Sequence, residues 1–460
     1  MDKIKSNAGV GVSTSCSCDE KTFTVLLCYL YTTVEDPEGL KEWFEKTAAS
    51  LNLTGRVLVA NEGINANLAS SEDGIAKLKE LLEAHEILGG GKVDYKLDVV
   101  QQRPFPDLAV KLVKEIVATG GTMPFELLSE QNLGGAHLSP EEFHGVIDSH
   151  VNGKETGGKD LVVIDVRNRK EIEFGHFVNA TNSNTKMFSE WAEHFALPRI
   201  DELKEKKVLM YCTGGVRCEK ASAFLRSKGV ADVSQLSGGI HRYLEKYGSK
   251  GHFVGSNFVF DSRGLQRPEG AAVIAKCYSC NAPEETMSSD RACAVCRDSI
   301  IICDGCRKNK LGVYFCSVHM DLAGKYSPFL ETRTMSELEA EKAALEALVA
   351  PGGKYSTKSQ RTRRKTLRKQ IGRITNRMQQ LESNTATVSQ DPTMRARCRS
   401  CGKPSASLCK LLGVSTEGVQ DLCDAHCWGF FQHKRRSEGY VDIYETQRKR
   451  AKADEKTESS

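Results

Sequence analysis

The residues of this chain best placed for chemistry are Cys212 and Arg217, which lie on one short segment with Gly214 and Gly215. An apolar run precedes the segment and a helix-like run follows it, so we expect a loop between a buried strand and a helix. Backbone N–H groups and the helix dipole at such a position stabilise a thiolate. Arg217 adds a fixed positive charge. The pattern therefore predicts a reactive thiolate at Cys212, on a loop that could also stabilise a persulfide.

A second cysteine, Cys218, closes the same segment at the expected start of the helix. One interpretation is a resolving thiol that forms a disulfide with Cys212 during turnover. The other is a small buried residue that caps the helix. The sequence leaves both interpretations open.

The loop requires a parallel sheet beneath it, and an apolar strand over residues 161–166 is expected to supply part of that sheet. Asp165 and Arg167 end this strand, and Glu171 follows. Combined with the spacing of Cys212 and Arg217, this arrangement resembles a rhodanese domain. The resemblance implies a doubly wound α/β fold with Asp165 and Arg167 as active-site support. An inert rhodanese-like scaffold is the alternative.

The full loop over residues 212–222 is more specific, and it resembles the tRNA uridine-34 hydroxylase family. Other segments agree with the same family: 61–65, 103–106, 111–116, 258–263 and 277–280. The resemblance covers about residues 23–319. It implies oxygen-dependent conversion of the wobble uridine of tRNA to 5-hydroxyuridine, with an essential loop cysteine. We assign that role to Cys212, with Cys218 as the less favoured candidate.

The means of oxygen activation and the electron donor are not evident, because the sequence carries no flavin or iron signature that we identify. Residue chemistry alone favours a persulfide sulfurtransferase of the rhodanese type. A non-catalytic adaptor that binds zinc and RNA is a third possibility. These functions stay open beside hydroxylation.

Cysteine pairs dominate the chain beyond residue 270, where they have the spacing of structural zinc ligands. Four pairs supply eight ligands for two tetrahedral sites, with the pairing left open: Cys277, Cys280, Cys293, Cys296, Cys303, Cys306, Cys316 and His319. A further site is expected from Cys398, Cys401, Cys423 and either Cys427 or His426. Sites with four protein ligands leave no open position, so we expect these metals to be structural.

A basic stretch between residues 354 and 377 is expected to form a helix whose charges cover much of its circumference. The residues assigned to RNA binding are Arg361, Arg363, Arg364, Lys365, Arg368 and Lys369. Such a surface would give salt-dependent affinity for a phosphate backbone. A solvated helix face or a localisation signal would have the same composition.

The composition bounds these interpretations. With 460 residues and a net charge of +4, the chain is expected to fold into several domains. Its 17 cysteines point to metal or thiol chemistry, because no secretory signal is evident. The absence of a long apolar run predicts no membrane span, and we expect a cytoplasmic protein.

The expected fold class is a multidomain α/β chain, with residues 120–158 rich in loops. In order, we expect a disordered tail (1–20), a ferredoxin-like, acylphosphatase-like domain (21–120), a rhodanese domain (121–255), a cysteine-rich zinc-binding region (256–330), a helical basic segment and linker (331–390), a second cysteine-rich module (391–448) and a disordered tail (449–460).

Overall fold

The computed structural model describes residues 22–153, 159–288, 290–349, 358–398 and 401–423. Both expected tails lie outside these residues, and so do Cys427 and His426. Within the described ranges, no helix combines the length and apolar character that crossing a membrane requires.

The N-terminal domain is a βαββαβ sandwich with one added strand. Its elements are β1 (Phe23–Tyr31), α1 (Pro37–Ser50), β2 (Thr54–Ala60), β3 (Gly63–Ser70), α2 (Glu72–Glu83), β4 (Lys96–Val100) and β5 (Leu108–Leu112). The sheet order is β4-β1-β3-β2-β5, in which only the β2–β5 pair is parallel. The predicted ferredoxin-like topology is confirmed.

Alternation along these strands gives the N-terminal sheet two different faces. Leu26, Ile64 and Leu68 belong to the core that includes Leu40 and Leu78 of the two helices. The opposite face carries their sequence neighbours and is directed toward the next domain. A ferredoxin-like sandwich leaves this second face without helices, so another part of the chain can cover it.

The central domain is a parallel α/β unit, as predicted. Its elements are α3 (Glu126–Ser129), β6 (Ala136–Leu138), α4 (Pro140–Val151), β7 (Leu161–Asp165), α5 (Arg169–Phe174), β8 (Gly175–Phe177), β9 (Thr181–Asn182), α6 (Ile200–Lys204), β10 (Lys207–Tyr211), α7 (Val216–Ser227), β11 (Val233–Leu236) and α8 (Gly239–Tyr247). The sheet order is β6-β11-β10-β7-β9, and all its pairs are parallel.

The expectation that residues 120–158 are loop-rich was wrong in part. Helix α4 begins at Pro140 behind a capping box, in which Ser139 and Glu142 each bond the backbone of the other. Such a box satisfies two N–H groups that a helix start would otherwise leave unpaired. Phe143 and Ile147 then anchor the helix in the core.

The remaining elements extend from the central domain. They are β12 (Phe253–Gly255), β13 (Asn257–Phe258), β14 (Leu265–Gln266), α9 (Asp304–Asn309), α10 (Met335–Leu348), α11 (Lys358–Glu382) and α12 (Ala406–Leu412). Leu338 and Leu345 of α10 pack with Leu367 and Ile374 of α11 in one core. Four turns that carry cysteine ligands lie before α10, and the turn with Cys398 and Cys401 lies after α11.

Buried Asp290 joins the two cysteine-rich regions. It accepts hydrogen bonds from Arg307 Nη2 (2.7 Å) and Ser405 Oγ (2.7 Å). Because Ser405 caps α12, the later cysteine-rich module is docked directly on the earlier region.

Candidate active site

Cys212 lies directly after strand β10, at the carboxyl edge of the parallel sheet. Its Sγ accepts a hydrogen bond from the Gly215 N–H (3.1 Å), and α7 begins at the next residue. The Ile240 N–H of α8 donates to the Cys212 carbonyl (2.9 Å). Two helix starts therefore converge on the loop, as the strand–loop–helix pattern predicted for one of them.

The two loop cysteines have opposite protonation preferences. Burial acts to raise the pKa of Cys212, but the Cys218 hydrogen bond, the Arg217 charge and backbone N–H groups outweigh it and lower that pKa to about 5. Burial and the adjacent Cys212 raise the pKa of Cys218 well above its usual value. These opposite shifts favour the thiolate form of Cys212 and the neutral thiol of Cys218, which hydrogen-bonds to it.

Arg217 is held in place by a carboxylate. Its Nη1 and Nη2 donate to the two oxygens of Glu171, each at 2.7 Å, and Nη2 also reaches Thr213 Oγ1 (3.2 Å). Burial alone would raise the pKa of Glu171, but the Arg217 charge lowers it overall. The paired guanidinium supplies positive charge next to Cys212 in a defined position.

Asp165 and Arg167 form a fully buried ion pair, with Arg167 Nη2 2.7 Å from Asp165 Oδ2. The same nitrogen donates to the Gly175 carbonyl (2.6 Å), so the pair holds the turn after α5. Strand register places Asp165 beside Tyr211, the residue before Cys212. The pair lies next to the loop in the sheet, and neither residue borders the cavity that Cys212 lines.

Gly214 and Gly215 allow the N-terminal sheet to approach the loop closely. A Cβ on Gly214 would lie 2.9 Å from Leu27 Cδ2, and one on Gly215 would lie 2.6 Å from the Tyr29 hydroxyl. Gly215 also has a φ of 105°, which residues with a side chain rarely adopt. Gly215 is therefore favoured by both loop shape and domain contact, and Gly214 by its close contact with Leu27 alone.

Buried polar contacts join the two domains around this approach. Lys220 Nζ pairs with Glu62 (2.6 Å) and Glu115 (3.4 Å). The Tyr29 hydroxyl donates to Glu219 (3.0 Å). The sequence positions of these groups gave no sign that they meet, since they lie more than 100 residues apart.

A cavity of about 410 Å³ lies between the sheet and the loop. Its walls are mainly apolar, and they come from the N-terminal sheet, the central domain and the segment after β13. The lining residues include Leu27, Leu58, Asn65, Asn67, Lys96, Asp98, Asn168, Cys212, Phe260 and Arg263. Volume and composition are those of a small-molecule or single-base site. Cys212 borders this space although its side chain is fully buried.

The eight ligands predicted after residue 270 form two interleaved groups. Cys277, Cys280, Cys303 and Cys306 make one, and Cys293, Cys296, Cys316 and His319 make the other. The Cys280–Cys303 and Cys296–Cys316 sulfur atoms lie 3.6 and 3.8 Å apart. Tetrahedral zinc with bonds of about 2.3 Å places sulfur atoms about 3.8 Å apart, so both groups fit that metal.

The third predicted group is partly described. Cys398, Cys401 and Cys423 lie together, while both candidates for the fourth ligand fall outside the described residues. A group that we did not predict combines His144, Asp148 and His252. None of its members lines the cavity at Cys212.

The predicted RNA-binding residues occupy part of α11. Arg361, Lys365, Arg368 and Lys369 are exposed, whereas Arg363 and Arg364 are half-buried and Arg363 pairs with Asp321. The expectation of charge around the circumference was wrong, because apolar residues at helical spacing pack that helix against α10. Arg377 is buried and donates to the Thr387 carbonyl (2.7 Å).

Family comparisons agree with this architecture. The chain matches the UPF0176 acylphosphatase-like domain over residues 23–116, the rhodanese-like domain over 150–246 and the rhodanese C-terminal region over 254–319. It is 35% identical over 318 residues to the rhodanese-like domain-containing protein 6 of Arabidopsis thaliana, covering 65% of this chain and 53% of that protein. The chain therefore spans about half the length of that relative.

Two bacterial relatives are covered almost completely. The tRNA uridine(34) hydroxylase of Corynebacterium urealyticum is 34% identical over 292 residues, covering 63% of this chain and 94% of the relative. That of Rhodococcus jostii is 34% identical over 294 residues, covering 63% and 98%. The shared domains and this coverage lead to one conclusion: the chain belongs to the tRNA uridine(34) hydroxylase family.

Proposed function

We propose that this protein hydroxylates the wobble uridine of tRNA at C5, with oxygen as co-substrate. The observation that carries the proposal is the Cys212 thiolate at the wall of a cavity sized for one base. Family membership supplies the substrate, because the bacterial relatives are named for this uridine.

The chemistry of uracil suggests a role for the sulfur. The C5–C6 double bond is conjugated with the C4 carbonyl, so a thiolate can add to C6 and leave an electron pair shared by C5 and O4. C5 then becomes the nucleophile that takes an oxygen atom. Loss of the C5 proton and expulsion of the thiolate restore the double bond. The other oxygen atom leaves as water, which takes up two electrons and, overall, two protons from an external two-electron reductant.

In this proposal Cys218 keeps the sulfur in place by its hydrogen bond, and Arg217 supplies the charge that sustains the thiolate. Asp165 and Arg167 support the sheet edge beneath the loop. The cysteine groups act as structural zinc sites, and the exposed basic face of α11 contacts the tRNA backbone. The position and charge of these groups support each role.

Mass spectrometry of tRNA nucleosides tests the function. A strain that lacks the gene should lose 5-hydroxyuridine and its derivatives, and wild-type protein should restore them while the Cys212→Ser variant should not. Unchanged nucleosides in the deletion strain would rule the proposal out. Restoration by Cys212→Ser would instead support a non-catalytic adaptor.

Addition to C6 has its own readout. In deuterated water without oxygen, reversible addition should exchange the C5 hydrogen of U34 for deuterium, as measured by mass. The Cys212→Ser variant should show no exchange. Hydroxylation without any exchange in wild-type protein would argue against the covalent step.

A persulfide sulfurtransferase is the second candidate, favoured by the Gly215 N–H that donates to Cys212 Sγ. The same amide and Arg217 would stabilise a persulfide anion on that sulfur. Thiosulfate-to-cyanide turnover abolished by Cys212→Ser would support it. Accurate mass distinguishes the thiolated from the hydroxylated nucleoside.

A further inference from the structure

Most polar groups in the cavity wall already form hydrogen bonds or ion pairs within the protein. Asp98 accepts hydrogen bonds from His241 (3.0 Å) and Arg263 (2.9 Å). Asn65 Nδ2 donates to the Ile116 carbonyl (3.2 Å). Lys96 Nζ lies 3.0 Å from Asp94 Oδ2. These contacts hold the wall together and leave few groups to bind a ligand.

Two amides in the wall differ from this pattern. The Oδ1 atoms of Asn67 and Asn168 are buried, and neither has a hydrogen-bond partner within the described part of the chain. A buried amide oxygen without a donor destabilises a fold, so such groups usually call for a functional explanation. Both residues border the cavity that Cys212 borders.

The two amides come from different domains. Asn67 is on β3, where strand register pairs it with Leu27, the residue that meets Gly214. Asn168 precedes α5, and its N–H donates to Glu171, the partner of Arg217. One amide therefore belongs to the N-terminal sheet, and the other belongs to the domain that carries the thiolate.

We infer that Asn67 is a specificity residue that pairs with the N3–H edge of the uracil base, with Asn168 binding a second polar group of the same nucleoside. The inference rests on the proposed function. An amide offers both an acceptor and a donor, which match N3–H and an adjacent carbonyl of uracil. Leu27, Leu58 and Phe260 supply apolar surface for the ring.

Ring geometry connects this recognition to the reaction. C6 lies opposite N3 in the pyrimidine ring, and C5 is its neighbour. A base whose N3 edge rests on Asn67 therefore directs C6 and C5 away from that amide into the cavity, where a thiolate above the ring plane can add to C6. A single orientation of the base then serves both its recognition by Asn67 and the exposure of C5 and C6 to the reaction.

The test compares binding of two anticodon stem-loop RNAs that differ only in uridine or cytidine at position 34, without oxygen. Wild-type protein should prefer uridine, and Asn67→Leu should reduce the ratio of the two Kd values roughly tenfold. Leu58→Ala is the matched control from the apolar wall. It should weaken binding of both RNAs equally and leave the ratio unchanged.

Thermal unfolding separates recognition from a structural role. Because the Asn67 oxygen has no partner among the described residues, Asn67→Leu should keep or raise the Tm. A lower Tm with equal loss of both affinities would overturn the inference, and so would an unchanged ratio in Asn67→Leu. Equal binding of both RNAs by wild-type protein would also overturn it. The hydroxylase function is tested separately by nucleoside analysis of the deletion strain.

Discussion

Lys220 Nζ lies 2.6 Å from Glu62 Oε2, and this contact joins the helix of the reactive loop to the N-terminal sheet. The Lys220 side chain is 1% exposed and that of Glu62 is 7% exposed. Glu62 also accepts the Ile116 N–H (2.7 Å), so the carboxylate is held from both sides. The cavity at Cys212 is consequently a product of two domains and would not form in either one alone.

Breaking this ion pair should destabilise the protein strongly. Lys220→Met leaves the Glu62 carboxylate buried without its cation, at a cost of about 3–5 kcal/mol in the free energy of unfolding. Adding Glu62→Gln should recover part of that loss. Lys204→Met, which removes an exposed pair with Asp201, should change stability by less than about 1 kcal/mol in the same urea titration. Equal effects of the two lysine variants would contradict the role of the buried pair.

The thiolate of Cys212 should make stability depend on pH. Its pKa is about 5 in the folded protein and close to its ordinary value of 9.0 when unfolded. A lowered pKa stabilises the fold above the unfolded value, and this stabilisation is lost as pH falls toward 5. The stability of wild-type protein relative to Cys212→Ser should therefore rise between pH 5 and pH 9. A flat difference in unfolding free energy across that window would argue for a neutral thiol.

Gly215, not Cys218, caps α7, so Cys218 variants distinguish a resolving thiol from a thiol that only donates a hydrogen bond to Cys212. If the Cys218 thiol only donates a hydrogen bond to Cys212, Cys218→Ser should keep most hydroxylation, whereas Cys218→Ala should raise the pKa of Cys212 and lower activity. If Cys218 resolves a disulfide, serine should be as inactive as alanine. Hydroxylated nucleosides in complemented deletion strains provide the measurement.

Zinc content tests the interleaved pairing. Cys280 and Cys303 belong to one group, so the double variant Cys280→Ser, Cys303→Ser should lose one zinc per chain. Sequential pairing would put these residues in different sites and remove two. Metal analysis of purified protein gives the count, and Cys280→Ser with Cys293→Ser is the matched control that should lose two.

Charge removal from α11 should weaken tRNA binding in a salt-dependent manner. Changing exposed Lys365, Arg368 and Lys369 to glutamine should lower affinity and reduce the slope of log K against log salt by up to about 0.9 for each phosphate that is no longer neutralised. Changing three lysines on exposed parts of α1, α2 and α8 to glutamine (Lys46, Lys77 and Lys246) removes the same number of charges and controls for net charge. An unchanged slope would mean that this face is only solvated.

Prediction from sequence succeeded where the signal is local. Apolar strands, a glycine loop behind Cys212 and cysteines two residues apart are short-range patterns, and each corresponds to an observed element. Charged side chains cover less of the α11 surface than predicted. Leu367 and Ile374 gain an apolar contact only when α10 packs beside them, which the sequence of α11 does not show. The helix at residues 140–151 was not predicted, because it depends on a capping box at its start and on Phe143 and Ile147 packing into a core that forms only in the folded domain.

The sequence by itself determined the available chemistry, which is a loop with Cys212 and Arg217 and pairs of metal-ligating cysteines. It also indicated the family. Only the tertiary structure decided where that chemistry takes place. Tyr29, Glu62 and Asn67 belong to another domain, and no periodicity links them to Cys212. Their meeting depends on the helix-free face of one sheet packing on the loop of another, a long-range event that short-range patterns do not encode.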